Sequence, residues 1–463
     1  MTQSAQRKAA PREPHPARWR ALGLLGVAQL MLILDVTVVA IALPHIETDL
    51  DVGRATLTWT VSAYTLTFGG LMLLGGRVAD LAGAKRVMLA GLLLFTAASL
   101  VTGLAGSAAM LLGGRVAQGV GAALLSPAAL SLVVALFEGD ERNKALGVWS
   151  ALGGGGAALG VLLGGLLTAG PGWEWVFYVN VPIGLVIAAA LAVMLPAQPP
   201  AARGRVDVPG AVLVTASSAA LIYALIAAGE DGWLTARTGW LVLAAAAGYA
   251  LFVLWQRRAR SPLMDVRLLI RRPVATGAFL IFMATALMIA VFFLGTFYFQ
   301  HARDYGPLRT GLLFLPVALA TMLGADVTGR VIGRWGGRAP AVAGLAIAAI
   351  GMAVPALSLN PVAVVAGVAF AAAGTGALFV VASATALGRV APHEAGIASG
   401  IVSSFHEFGA SFGAAVVSSV AAASLAGTTL DGFTEAFTLA AVAAAVGAAA
   451  ALALTPGRTP APA

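Results

Sequence analysis

The sequence predicts an all-α integral membrane protein, and three observations carry that expectation. Hydrophobic residues make up 59% of the chain against 10% charged, with a mean hydropathy of +0.91, whereas an ordinary globular domain is roughly one-quarter charged. The apolar runs last about 20 residues, the length of a membrane-spanning helix, instead of alternating over about ten as barrel strands do. Backbone groups in lipid have no water to bond, so helices and closed barrels are the available spanning structures. The third observation is the placement of charge: of the 28 lysines and arginines, Arg54, Arg237, Arg303 and Arg309 fall on one side of the membrane, Arg115 lies within a helix, and the rest share the other side. That asymmetry places both termini in the cytoplasm. The net charge of +8 is thereby read as topology, and nucleic acid is not expected as a partner.

Residues 1–20 are polar and carry Arg7, Lys8, Arg12, Arg18 and Arg20. With no small-residue cleavage site after the first apolar run, they read as a cytoplasmic tail and not a signal peptide. Residues 21–196 form an N-terminal six-helix bundle, with spans near 22–43, 57–76, 86–105, 110–136, 145–168 and 176–195. The Pro-rich stretch after Leu195 opens a linker, 197–260, whose two apolar runs, 208–228 and 238–256, are long enough to cross. A second six-helix bundle follows over 261–455, with spans near 273–299, 310–332, 340–357, 362–387, 396–423 and 434–454, and 456–463 is a cytoplasmic tail. The length criterion thus gives about fourteen transmembrane helices, and an even number keeps both ends on one side.

A repeat supports the two-bundle plan. Gly76 to Arg86 reads G-R-V-A-D-L-A-G-A-K-R, and Gly329 to Arg338 reads G-R-V-I-G-R-W-G-G-R, each two helices into its half. Parallel halves of this kind place a transporter's binding site between them near the bilayer midplane. Other chemistry is poorly served. The chain has no cysteine and five scattered histidines, so neither thiol chemistry nor a metal site is expected. No Walker A run is present, and no cofactor is expected.

The functional candidates are the polar residues that the membrane makes expensive. A carboxylate near the middle of a spanning helix costs about 2.5–3.5 kcal/mol to insert, which makes Asp35 the first suspect. Asp35 lies about 12 Å from the outer end of its span and Arg115 about 8 Å from the outer end of the fourth, depths that allow pairing. Burial favours a neutral acid and a guanidinium favours the carboxylate, so a partner that moves would load and unload a proton. The alternative is a permanent structural pair or a permanently protonated acid. His406 and Glu407, inside the thirteenth span, form a second candidate site for a proton or a cationic substrate. Asp326 reads as an ordinary helix pair with Arg330, four residues on.

In the Gly76 to Arg86 stretch, Asp80 with Lys85 and Arg86 is expected as a loop that caps the third span or forms a charge lock at the cytoplasmic face. Gly156, Gly160 and Gly164 recur every four residues on the fifth span, a small-residue ridge that lets another helix approach closely. Trp173 and Trp175 read as interface anchors at the mouth of the sixth span. Met31, Trp59, Tyr64 and Phe405 are expected to line a central cavity.

Taken together these motifs resemble the major facilitator superfamily, specifically its fourteen-helix drug:proton antiporter family. Leu34 to Pro44 is similar to that family's first-helix motif. Gly76, Asp80, Gly83 and Lys85 match its motif A, and Arg115, Gln118, Gly119 and Gly121, followed by Pro127, match motif B. Trp173 to Pro182 resembles its signature between the fifth and sixth helices. Leu81 and Ala84 stand where motif A usually has bases, Gly333 replaces the acid in the second copy, Val161 follows Gly160 where motif C usually has proline, and Glu174 replaces an arginine.

The resemblance covers the whole chain. It implies two six-helix bundles plus two inserted helices, rocking about a cavity that includes Gln118, and export of an amphiphilic compound in exchange for protons through Asp35 and Arg115. The expected setting is a bacterial inner membrane, with the chain acting as a monomer among lipid and not as an enzyme. A metabolite exporter, for an amino acid, siderophore or lipid, is the nearest alternative. A membrane receptor or intramembrane enzyme is a remote one.

Overall fold

The computed structural model describes residues 17–195, 205–388, 390, 394–425 and 429–455. Of the expected tail at 1–20, residues 1–16 lie outside the described residues, as do the tail at 456–463 and the Pro-rich stretch 196–204, whereas 18–20 are already helical.

The described residues fold into helices joined by short connections. The first half comprises α1 (Arg18–Leu50), α2 (Arg54–Ala82), α3 (Ala84–Gly103), α4 (Ala108–Leu136), α5 (Gly139–Ala169), the short α6 (Trp175–Tyr178) and α7 (Asn180–Met194). Two further helices, α8 (Val208–Asp231) and α9 (Ala236–Arg258), precede a single turn, α10 (Val266–Ile270). The second half comprises α11 (Arg272–Phe297), which ends in a π-helical turn at Tyr298–Ala302, then α12 (Pro307–Leu313), α13 (Leu315–Trp335), α14 (Arg338–Leu357), α15 (Pro361–Leu387), α16 (Ala395–Val420), α17 (Ala422–Leu425) and α18 (Asp431–Leu454). Among the described residues, twelve helices are long and apolar enough to cross a membrane; α5 and α16, of 31 and 26 residues, stand beside that set.

The helices overrun the apolar limits read from sequence. Pro44 lies inside α1, which continues to Leu50, so Asp35 sits near the helix centre. The stretch expected as a loop between the second and third spans is a correction: Gly76 to Ala82 belong to α2, and only Gly83, at φ 94°, separates it from α3. Its counterpart in the second half is Gly336, at φ 72°, between α13 and α14. A left-handed backbone at equivalent junctions suits glycine, which lacks the Cβ that penalises it, and it repeats in structure what the sequence repeats.

The first bundle packs α4 between α2 and α3, with α5 along α1 and α7 along α3. The second packs α15 against α11, α13 and α14, with α18 on α14 and α16 on α11. The bundles meet along two seams. In one, α2 lies on α16, covered by α8, and α9 packs on α8; in the other, α5 meets α12 and α13.

The α2/α16 seam is polar. Thr65 and Ser411 share a hydrogen bond of 2.6 Å, as do Thr58 and Ser418, and Arg54 donates to the Ser418 carbonyl at 3.2 Å and to Ile226 O of α8 at 3.4 Å. Ser and Thr hydroxyls let helices cross closely where apolar burial offers no drive between lipid-solvated helices. The glycine ridge of α5 packs on α1, as its spacing suggests. A Cβ on Gly156 would press Ile33, one on Gly160 would overlap the Thr37 hydroxyl, and one on Gly164 would lie 3.0 Å from the Val38 backbone.

Candidate functional site

Asp35 and Arg115 meet at the centre of the first bundle. The guanidinium pairs with Asp35 Oδ2 through Nη1, donates through Nε to Thr60 O at 2.8 Å, and stacks 4.4 Å over the Tyr64 ring. Asp35 is 2% exposed and Arg115 0%.

Gln118, one turn beyond Arg115 on α4, ties the pair into a network. Its Nε2 donates to Asp35 Oδ1 at 3.1 Å and to Ser99 Oγ at 2.9 Å, while its Oε1 accepts from Arg115 at 3.0 Å. Tyr64 donates to Leu32 O at 3.2 Å, fixing α2 against α1. Both carboxylate oxygens of Asp35 accept, while Arg115 Nη2 has no partner among the described residues. Such a buried pair holds because removing either partner strands the other in a medium that solvates charge poorly.

A cavity of about 610 Å³ lies between the bundles, in the half nearer the start of α1. Phe68 and Met72 of α2, Ile281 and Met288 of α11 and Phe379 of α15 supply much of its apolar wall. Thr37, Thr285, Thr321 and Ser383 supply hydroxyls. Glu407 is the one carboxylate among the described lining residues, beside His406. Glu407 is 7% exposed; its Oε1 lies 3.0 Å from His406 Nδ1, and its Oε2 is buried without a partner among the described residues. It is wedged at the α2/α16 crossing, where a Cβ on Gly69 would come within 2.6 Å of its own Cβ. The His406 ring faces Phe379 at 5.7 Å between centroids.

The expected lining set needs correction. Met31, Trp59, Tyr64, Gln118 and Phe405 all lie outside the lining. Met31 packs in the first-bundle core, Tyr64 and Gln118 serve Asp35 and Arg115, Trp59 packs near α8, and Phe405 meets Phe408 at 6.3 Å. Asp35 is also behind the wall, although Leu32, Ile33, Val36 and Thr37 of the same helix line the cavity. The actual lining was missed because these helices are apolar on every side, so periodicity cannot distinguish a face toward lipid from one toward a cavity. The available signal was the placement of single hydroxyls and thioethers.

The Gly76 to Arg86 segment sits at the same end as the cavity. Asp80 is exposed, belongs to α2 and has no ion pair among the described residues, and α3 begins at Gly83 without a side-chain cap. Lys85 instead caps the end of α7, donating to Ala192 O at 2.7 Å and to Leu195 O; Arg86 is exposed. Asp326 pairs with Arg330 at 2.7 Å on the surface, as the four-residue spacing suggests. At the opposite end the bundles are in contact: Gln300 donates to Ile41 O at 3.0 Å, and a Cβ on Gly165 would lie 2.7 Å from Pro307 O.

Residues 25–414 match the family model described as Major Facilitator Superfamily. The chain belongs to that superfamily. Among its relatives, the puromycin resistance protein of Streptomyces alboniger is 38% identical over 87% of this chain and 81% of its own length. The cephamycin export protein of Amycolatopsis lactamdurans is 36% identical over 84% and 82% of the two chains, and a multidrug resistance protein of Mycobacterium tuberculosis is 35% identical over 83% and 72%. These superfamily relatives are thus antibiotic and multidrug resistance and export proteins.

Two solved structures share the superfamily fold at low identity. One is a bacterial homologue of the human lysosomal transporter Spinster, in an inward-facing, unoccupied conformation, with TM-score 0.63 and 16% identity over 96% of this chain and 97% of that one. The other is a peptide transporter, with TM-score 0.65 and 18% identity over 94% of each.

Proposed function

We propose that the chain is a proton-coupled exporter of amphiphilic drugs or antibiotics, working by alternating access across a bacterial inner membrane. One observation carries this reading: a cavity between two bundles has one membrane-embedded acid, Glu407, on its wall and another, Asp35, locked to Arg115 behind it. Ionisable groups at membrane depth mark ion and substrate pathways, because their insertion cost persists only where function requires them. The relatives' names support antibiotic export in particular.

In this reading α5 and α16 complete fourteen spans, and the basic end at which α1 begins faces the cytoplasm. The cavity on that side admits an amphiphile from the cytoplasm or inner leaflet, and its apolar wall of aromatic and Met side chains adapts to varied shapes. The free oxygen of Glu407 takes either a substrate cation or a proton, and His406 orients it. Asp35 exchanges Arg115 for a proton when α1 and α4 shift, so the two acids couple substrate release to proton entry. Gly76, Asp80, Gly83, Lys85 and Arg86 form the part of the cytoplasmic face that closes when the bundles rock outward. The chain acts as a monomeric carrier surrounded by lipid, without a cofactor.

The test is transport in proteoliposomes under an imposed pH gradient, with a cationic dye and a neutral polyketide side by side. Gradient-driven movement of either supports antiport, and transport indifferent to the gradient refutes it.

A further inference from the structure

We propose that the ends of the two bundles opposite the cavity are latched by a proton held between His301 and Glu47, so that closing this outer end takes up one proton from the outer solution. The inference rests on the alternating-access reading above but uses a different site, since neither residue lines the cavity.

Glu47 lies in the last turn of α1, in the first bundle, and His301 lies in the π-helical turn that ends α11, in the second. His301 Nε2 is 3.4 Å from Glu47 Oε2, so the contact spans the seam that must part for the outer end to open. The backbone of Leu425 on α17 also lies against this imidazole. The Leu425 N–H is already donated to Ala421 O at 2.9 Å, which leaves its carbonyl as the group facing the ring.

Both neighbours, a carbonyl and a carboxylate, are acceptors, whereas a neutral imidazole has one N–H. Serving both requires one more proton, carried on the ring or on Glu47. Without it, a nitrogen lone pair faces a carboxylate oxygen across the seam. Glu47 Oε2 has no hydrogen bond to relieve that contact.

Among the described residues, the surroundings supply no substitute cation. His45, on α1 beside Gln300, acts on His301 and disfavours a charge there, and the Phe297 ring flanks it at 5.1 Å. Asp49 is committed to Trp173 Nε1 at 2.9 Å, and Arg303 to the Tyr298 hydroxyl at 2.7 Å and Leu359 O at 2.5 Å. The side chains of His301 and Glu47 are 25% and 24% accessible, so their proton exchanges with the outer solution and not through the cavity.

The sign follows from counting protons. The closed outer end binds one more proton than the open end, so acid outside favours closure. Above the midpoint, the closed-to-open ratio falls about tenfold per pH unit. The latch would therefore shut the exporter behind its released substrate when the outside is acidic.

The chain has no cysteine, so a single pair introduced as Thr48→Cys and Gly306→Cys can be spin-labelled on the full-length protein in lipid nanodiscs. A Cβ at Gly306 meets nothing within 4 Å, and Thr48 is exposed. Distances across the outer end are measured against pH, in the native background and with Asp35→Asn plus Glu407→Gln, which removes the coupling acids. The expected result in both is a long-distance population that grows as pH rises, by about tenfold per unit above the midpoint. His301→Gln and Glu47→Gln, each polar but without a titrating proton, should flatten the response. A slope that survives both substitutions overturns the proposal, as does one that vanishes with Asp35→Asn plus Glu407→Gln alone. A single distance at every pH, with transport intact, would refute the alternating-access reading itself.

Discussion

Replacing Asp35 with asparagine removes one ionisable proton at almost constant volume, and the network around it allows the cost to be worked out. The new amide's oxygen would still offer Arg115 an acceptor, so the guanidinium keeps Thr60 O at 2.8 Å, Gln118 Oε1 at 3.0 Å and the Tyr64 ring at 4.4 Å. A charge-assisted hydrogen bond of about 1.5–3 kcal/mol becomes a neutral one of about 0.5–1.5 kcal/mol. The amide's N–H donor then faces Gln118 Nε2, 3.1 Å from the oxygen it replaces. Gln118 cannot turn to accept it without giving up Ser99 and Arg115, and an unsatisfied buried donor costs about 1–3 kcal/mol. Arg115 also loses its counter-ion, so the total approaches the about 3–5 kcal/mol of a broken buried pair, which lowers thermal stability but leaves insertion and folding intact.

Transport should respond differently, because an amide carries no proton. The expected outcome is a folded protein with a reduced Tm whose substrate movement ignores an imposed pH gradient. A second pair of variants tests the charge argument. Arg115→Met leaves a carboxylate that can neutralise itself by taking a proton, whereas Asp35→Leu leaves a guanidinium that cannot, at about 3–5 kcal/mol. Asp35→Leu should therefore be the less stable of the two, despite the smaller residue removed. Thermal unfolding in detergent and proteoliposome transport measure both. Gradient-driven transport surviving in Asp35→Asn would move coupling to Glu407, and Arg115→Met proving the less stable would refute the buried-charge reasoning.

Glu407→Gln keeps the hydrogen bond to His406 but removes the free anionic oxygen on the cavity wall. A cationic dye should then bind at least tenfold more weakly, about 1.4 kcal/mol, while a neutral polyketide is unaffected, as read by fluorescence titration. Gly164→Leu drives a side chain into the Val38 backbone, 3.0 Å from where the Cβ would sit. It should destabilise by about 1–3 kcal/mol or more through overpacking, seen as lower folded yield and Tm. Asp326→Asn breaks a pair whose side chains are 51% and 76% accessible. Transport should be unchanged, since exposed pairs of this spacing contribute about 0.3–0.5 kcal/mol at most.

The contact between Asp35 and Arg115 was legible because helix rise converts residue number into depth, and two charges at one depth in lipid have strong reason to meet. The α5 ridge was legible for a similar reason, since glycines every fourth residue share a helix face. Asp80 was misplaced because Gly76 resembles a loop start, yet helices in a bundle run on into the interface wherever tertiary contacts such as Lys85 on α7 support them. Tyr64 and Gln118 were expected at the cavity and instead secure Asp35 and Arg115 from inside the bundle. Their residue types suit either setting, so only neighbouring helices could choose.

Residue order alone establishes that this chain crosses a membrane many times, in two related halves, with a few charged groups held at depth. Those properties depend on transfer energies and helix geometry, which act on each segment separately. Helix packing puts Glu407 on the cavity wall with Asp35 behind it, and brings His301 to Glu47 across the opposite end. Those relations depend on the rotation and crossing of helices that lie far apart along the chain, and an apolar helix in lipid carries no periodic signal of which way it turns.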